Sequence, residues 1–531
     1  MEKIVEGANT SFKLPRNTNQ AILLAQYARE FMEKGKPSAA VYERVKLFHN
    51  DAFLCGISAI AHHANAPTVL RAEAMRYALH EANLKRVPGY AKCLGSNHLT
   101  IAEKAIVANC CAVREWDSNG TVFGFRAGKQ GFQAGEFGHN DFYSVVIAAA
   151  QQVENIDGKT ALKAMILQDE IRGRFAEVFS LKTYKIDHVV FGALASAVVY
   201  GILLGATDEQ IESAVGMCIA HYIPFRAIRA GKQLSDSKGA SAAISTEVAV
   251  LSMIRSMHGF IGPKDIFRNP ESIFRLNEPT KGDAPFDLIM GMEGDDFAVM
   301  GMHFKLGLYE HQSAGALAAA VRLIYDHKFL QHNNFDTIKG ILITAYEPAY
   351  GIIGDPAKKD PKTRQSADHS MVYIVGTLLR RAIEDPHLFD QVNTFDDLWK
   401  KLMLTPFDYG KGPLHDKNTR TLMEKMSFEH GGEKYDKLYP DGIPTSMEIT
   451  LQDGKKLSTD IVMYPPGHAR NTDTDLQGIL KYKFGIVGRM ALDQAALDAL
   501  LAKLDKFDTM TSDDLLSVYS CEIKMAPEPL D

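Results

Sequence analysis

Val189-Val190-Phe191-Gly192-Ala193-Leu194-Ala195-Ser196-Ala197-Val198-Val199-Tyr200-Gly201-Ile202-Leu203-Leu204-Gly205-Ala206 runs for eighteen residues without a charge. That length lies at the lower limit for a membrane-spanning helix. Three features argue against a span. Four Ala, three Gly and one Ser thin its apolar bulk, Asp187-His188 and Asp208-Glu209 flank it closely, and no second such stretch exists. The segment therefore reads as the buried central helix of a large helical bundle, and the expectation is a chain that does not enter the membrane.

Working outward, helical periodicity recurs at residues 19–34, 38–62, 68–83, 100–113, 142–152 and 158–178. Thr207-x-x-Gln210 forms a capping box before an apolar helix over 211–222, and residues 240–257 read as a helix that stops at Gly259. The pattern changes after about residue 291. Residues 337–346 are apolar and β-branched, and 446–463 read as a hairpin turning at Asp453-Gly454. Helical stretches intervene at 312–326, 370–384 and 395–404, and helix returns at 491–504 and 513–519. Pro465-Pro466-Gly467 marks a boundary. The expected layout is mainly α: a large discontinuous helical domain (1–291 and 471–531) with an inserted α/β domain (292–470).

Composition sets limits. The 531 residues are 46% hydrophobic and 23% charged, which is ordinary for a globular protein and excludes disordered, collagen-like and coiled-coil chains. A chain of this mass should expose about 19,000 Å² when folded, burying roughly three quarters of its unfolded surface without a disulfide or metal staple. Lys and Arg total 59 against 65 Asp and Glu, a net charge of −6, so a global basic footprint for nucleic acid is absent. The six cysteines include no C-x-x-C pair and read as small buried apolar residues of a reducing compartment. The N-terminus shows no secretory pattern, so the expected location is cytoplasmic.

No P-loop, H-E-x-x-H, G-x-S-x-G, EF-hand loop or strand-linked G-x-G-x-x-G is present, which leaves acid–base chemistry by side chains. Four stretches could supply it. Arg114-Glu115-Trp116-Asp117-Ser118-Asn119-Gly120-Thr121 lies where a helix gives way to a long irregular loop over 117–141, and a continued helical turn would put Asp117 and Thr121 on one side. Gly138-His139-Asn140-Asp141 places a histidine at a loop–helix junction, suited to proton transfer. Arg226, Arg229, Lys232 and Lys238 crowd a Gly/Ser-rich loop over 224–239 and suit a multiply charged small anion. His303-Phe304-Lys305 and Glu310-His311-Gln312-Ser313 open the α/β domain and could face the helical one. Each stretch taken singly reads equally as a cap, a solvated loop or a domain entry. Asp368-His369 is a weaker signal, because Asp368 could merely cap the next helix. Together they describe a polyanion cleft between domains.

The order of these residues resembles the MmgE/PrpD family, and within it the 2-methylcitrate dehydratase branch. The resemblance rests on Asn109 followed by Asp117-Ser118-Asn119-Gly120-Thr121, on Arg114, on Gly138-His139 and on Asp169-Glu170-Ile171-Arg172-Gly173. Asp187-His188, Phe225-Arg226 with Arg229, and Ser237-Lys238-Gly239-Ala240 continue it. Phe304-Lys305, His311-Gln312-Ser313-Ala314 and Ala367-Asp368-His369-Ser370 with Tyr373 complete it, over roughly residues 20–500. Three positions and one segment depart: Gly120 stands where the family usually has Asp, Asn140 where it has Pro, Glu177 near where decarboxylase-like members place a His, and residues 126–135 are unusual in their Gly and Lys content.

The resemblance implies a homodimeric lyase with no metal or organic cofactor that dehydrates a hydroxy-tricarboxylate such as 2-methylcitrate to 2-methylaconitate. It implies catalytic roles for His139, Asp117, Lys238 and Lys305, and substrate binding by Arg114, Asn119, Thr121, Arg226, Arg229 and His311. Decarboxylation of a cis-aconitate-type substrate and epimerisation or isomerisation of a related dicarboxylate fit the same residues. So does a non-catalytic carboxylate-binding relative.

Overall fold

The computed structural model describes residues 1–81, 85–121, 138–229, 233–353 and 358–530. It is a mainly helical fold with an α/β part. Its exposed area is 19922 Å², close to the area expected from its mass.

The uncharged stretch forms the helix Val189–Leu203, buried along nearly its whole length. It packs between the helices Gly158–Val178, Asp208–His221 and Asp236–Met257. Its small residues permit that crowding. A Cβ on Gly192 would lie 2.1 Å from the ring of Phe142, so only glycine fits there. No helix among the described residues is long and apolar enough to cross a membrane.

Most expected helices form close to their predicted limits, with caps that explain the limits. Asn19 accepts from Ile22 N to start Gln20–Lys34, and Thr207 and Gln210 close a reciprocal capping box. Three differences matter. The helix expected over 68–83 is Asn65–Met75; Pro67 lies in its first turn, where a missing N–H costs nothing. The helix expected from 240 starts at Asp236, which moves Lys238 out of the loop and into a helical first turn. The helix Leu476–Arg489 has no counterpart in the sequence reading, although Asp475 caps it and Ile479, Leu480, Phe484 and Val487 share one buried stripe.

Two four-stranded sheets flank the helices. One joins Glu2–Glu6, Asn9–Leu14, Leu288–Gly294 and Lys36–Pro37 in that order, and it was not foreseen. The other belongs to the α/β part, in the order Lys456–Ser458, Thr445–Leu451, Ile338–Ala345, Met426–His430. The hairpin turns at Gly454, whose φ of +86° suits glycine. The helix Ala314–His327 packs on the strand Thr445–Leu451 of that sheet, and Met371–Glu384 packs on Ala314–His327.

All six cysteines are free thiols; five are buried and Cys521 is partly exposed. Burial pushes Cys55, Cys110 and Cys218 up to about 12.

Leu476–Arg489 returns to pack on the helix Ala39–Ala61. From it, the buried Lys483 Nζ donates to Ser118 O at 2.6 Å and Lys305 O at 2.8 Å, and pairs with Asp51 Oδ1 at 2.6 Å. Lys483→Met would leave the Asp51 carboxylate buried without its cation. The expected cost is about 3–5 kcal/mol, read as a lowered urea midpoint; an unchanged midpoint would refute this anchoring role.

Candidate active site

The helix Ala102–Glu115 brings Arg114 to its last turn and then stops at Trp116. Trp116 Nε1 donates to Ser58 Oγ at 2.9 Å, fixing the exit of the chain. Residues 117–121 are irregular chain and not a further helical turn, as the loss of periodicity after Arg114 predicts. They are stitched instead to the segment 303–309. Thr121 and His303 exchange backbone hydrogen bonds at 2.9 Å, Tyr309 N donates to Asp117 O at 3.1 Å, and Ser118 Oγ donates to Gly307 O at 2.9 Å. This pairing, and not helical spacing, is what turns Asp117 and Thr121 into one cavity.

Asp117 is the centre of that cavity. Lys305 pairs directly with its Oδ1. Arg114 Nη1 lies 3.3 Å from the same oxygen, and Lys238 Nζ and His369 Nδ1 lie 3.5 and 3.2 Å from Oδ2. The cations Lys305, Lys238 and Arg114, Lys305 first, hold the buried carboxyl well below the usual range, against the opposing effect of burial. Lys238 also donates to Asp368 Oδ1 at 3.1 Å, and His369 Nδ1 lies 2.6 Å from that oxygen. A lysine in the first turn of a helix opposes the helix dipole. The two carboxylates explain its place there.

Asp368 therefore does not cap the following helix. Ser370 does, through Tyr373 N. Arg364 pairs with Glu115 and approaches Asp368 Oδ2 to 3.6 Å, tying the α/β part to the end of the Arg114 helix.

His139 meets this network from the other side. Arg114 Nη2 lies 3.3 Å from its Nε2, and Arg172 Nη1 donates to its backbone oxygen at 2.6 Å. Since the guanidinium can only donate, His139 Nε2 accepts and its proton sits on Nδ1. Burial, then Arg114 and Lys305, holds its pKa well below 6.5, so the ring is neutral. His188 faces it at 6.0 Å between ring centres and is pushed down to about 3 by burial.

Arg114, Asp117, Thr121, His139, Arg226, Arg229, Lys238, Lys305 and His311 all line one cavity of about 660 Å³ that includes its open mouth. Arg229 is braced by Asp187 at 2.5 Å and Ser241 at 2.8 Å. Of the residues singled out in the sequence, Asn119 does not reach the cavity wall. Its amide donates to Asp141 Oδ1 at 2.5 Å, and Asp141 in turn lies 3.8 Å from Arg114. Lys232 and residues 126–135 lie outside the described residues.

His188, Glu310, Gln312, Lys358, His369 and Leu234 also line the cavity. Nothing local in the sequence marks Lys358 or Leu234; tertiary packing alone brings them in. Leu234 is the apolar residue among the described lining, and its backbone is held by Ser366 Oγ at 2.8 Å and Thr363 Oγ1 at 3.2 Å. Buried polar atoms without a hydrogen-bond partner gather here: Thr121 Oγ1, His139 Nδ1, Gln312 Nε2 and both ring nitrogens of His311. Such a concentration fits groups arranged for a polar guest.

Among the described residues, Asp117, Asp368 and His369 present three ligand atoms within 4.8 Å of one another. The ammonium groups of Lys238 and Lys305 already stand on those carboxylates, where a divalent ion would need to bind.

The departures from the family pattern have physical explanations. A Cβ on Gly120 would lie 2.3 Å from the ring of Phe48, which stacks on Phe304 at 3.9 Å, so an aspartate there has no room. Asn140 donates to Phe48 O at 2.6 Å, a bond proline could not make. Glu177 pairs with Arg174 at 2.6 Å in a separate buried network with Glu170 and is not part of the described cavity lining.

Six buried histidines (His49, His139, His188, His303, His311 and His468) are all held below 6.5, chiefly by burial. On acidification the unfolded chain takes up protons that the folded chain refuses. Stability should therefore fall as pH drops from 6.5 towards 4, with a steepness of several protons. Thermal unfolding across that window tests this, and a flat melting temperature would contradict it.

Residues 23–281 match the MmgE/PrpD N-terminal domain and residues 309–503 the MmgE/PrpD C-terminal domain. An alkylcitrate dehydratase from a fungal species (strain ATCC 74256) is 25% identical over 68% of this chain and 67% of its own length. A 2-methylcitrate dehydratase of Escherichia coli K12 is 26% identical over 68% and 70%. A probable 2-methylcitrate dehydratase of Saccharomyces cerevisiae is 24% identical over 72% and 71%.

Proposed function

The chain belongs to the MmgE/PrpD family, and on that premise we propose that it is a hydro-lyase that dehydrates a hydroxy-tricarboxylate such as 2-methylcitrate to 2-methylaconitate, using side-chain acid–base chemistry without a cofactor. The observation that carries this reading is the single cavity in which a neutral histidine meets Arg114, Arg226, Arg229, Lys238 and Lys305. Such a pocket suits a small trianion. Leu234 offers an apolar contact for one methyl substituent.

The chemistry follows from those groups. The proton to be removed sits on the methyl-bearing carbon beside a carboxylate and is weakly acidic. An entering carboxylate that draws Arg114 onto itself frees His139 Nε2 to act as the base, and its negative charge raises the basicity of the ring. Charge that builds on the carboxylate as the proton leaves falls beside Lys305 and Lys238. Asp117 keeps both ammonium groups in place, and Thr121 and His311 present unused polar atoms to the substrate. Lys305 and His311 come from the α/β part, so closure of that part as a lid would complete the site and exclude water.

Proton NMR of 2-methylcitrate with the purified protein, without added metal, tests the reading. The substrate methyl doublet should give way to an allylic methyl singlet. No change with 2-methylcitrate, but turnover of citrate or loss of carbon dioxide from cis-aconitate, would overturn the named substrate or the reaction type. His139→Gln should lower turnover by about 10²–10⁴; turnover near that of the unaltered enzyme would remove His139 from the role of base.

A further inference from the structure

Dehydration needs a second proton transfer. The departing hydroxyl must be protonated, and the residues assigned above do not supply that proton. His139 is neutral and acts as base, while Asp117 and Asp368 are held ionised by their lysines. His369 is pushed down to about 4 and carries no charge to give away. If Lys238 or Lys305 gave up a proton, it would strand a buried carboxylate without its partner.

We propose that Glu310 is the catalytic acid that protonates the leaving hydroxyl, an assignment that rests on the dehydratase reading. Glu310 lines the cavity and is buried. It precedes the short 3-10 turn His311–Ser313, and Gln312 N donates to its Oε2 at 2.9 Å. Its own N–H donates to Asp368 O at 2.8 Å. These bonds aim the carboxyl from the α/β part, with Lys305 and His311 beside it in the chain. Burial and the neighbouring Asp117 raise it to about 7, against the opposing pull of Lys305 and Lys358. A carboxyl kept protonated near neutrality beside one kept ionised is the pattern that separates an acid from its partner groups.

The step balances. His139 takes the proton from the methyl-bearing carbon, and the C–H electron pair becomes the new C=C bond. The C–O bond breaks with its pair going to oxygen, which accepts the Glu310 proton and leaves as water. The enzyme ends with an imidazolium and a carboxylate, and solvent exchange after product release restores both.

Glu310→Gln keeps the shape and removes the acid. It should be assayed on 2-methylcitrate and on the analogue with fluorine in place of the hydroxyl, because fluoride leaves without a proton. Water elimination should fall by about 10²–10⁴, while fluoride release stays within about threefold of the unaltered enzyme. Retained fluoride release also shows that the variant is folded and that its base works. Glu310→Asp should recover part of the water elimination. Equal loss of both reactions, or water elimination near the unaltered rate, would overturn the assignment. If the unaltered enzyme eliminates neither group, the dehydratase reading fails first and Glu310 falls with it.

Discussion

One buried carboxylate organises this protein. Asp117 lies within reach of Lys305, Lys238, Arg114 and His369, which come from four different places in the chain. Burying the carboxylate or any of the three cations Lys305, Lys238 and Arg114 alone would be prohibitive. Each is tolerable only because the others arrive with it. The helical core and the α/β part must therefore close on each other with their charges in register. Lys483, arriving from the helix Leu476–Arg489, secures the backbone on both sides of that closure.

Much of this was legible in the residues. The central helix could be read from its uncharged run and its small side chains, and the capping box at Thr207 located the next helix. The loop after Arg114, the histidine at 139 and the lysine at 305 stood out because polar chemistry clustered where periodicity failed. What escaped the reading depends on distant partners. The N-terminal strands exist because Leu288–Gly294 pairs with them. Lys238 looked like a loop cation because Asp368, its reason for sitting in a helical turn, is 130 residues away. Asp368 itself looked like a cap, since Ser370, the true cap, is only two positions on.

The same electrostatic logic governs the histidines. The cavity is rich in fixed cations, and burial alone already disfavours the imidazolium. The site therefore meets its guest with neutral rings and ionised acids, one carboxyl excepted. An anion that enters supplies the negative charge under which a proton can settle on His139. On the proposed dehydratase reading, the carboxylates of the substrate are therefore part of the electrostatic design of the site.

Cys110 and Cys111 sit on the helix that ends in Arg114, and both are fully enclosed with their thiols pushed well up from the ordinary range. A thiol in that state is inert to alkylation until the surrounding layers part. The molecule thus carries its own clock. The pace at which these two sulfurs become modifiable measures how often the helix that leads to Asp117 opens to solvent, independently of any substrate or assay of turnover.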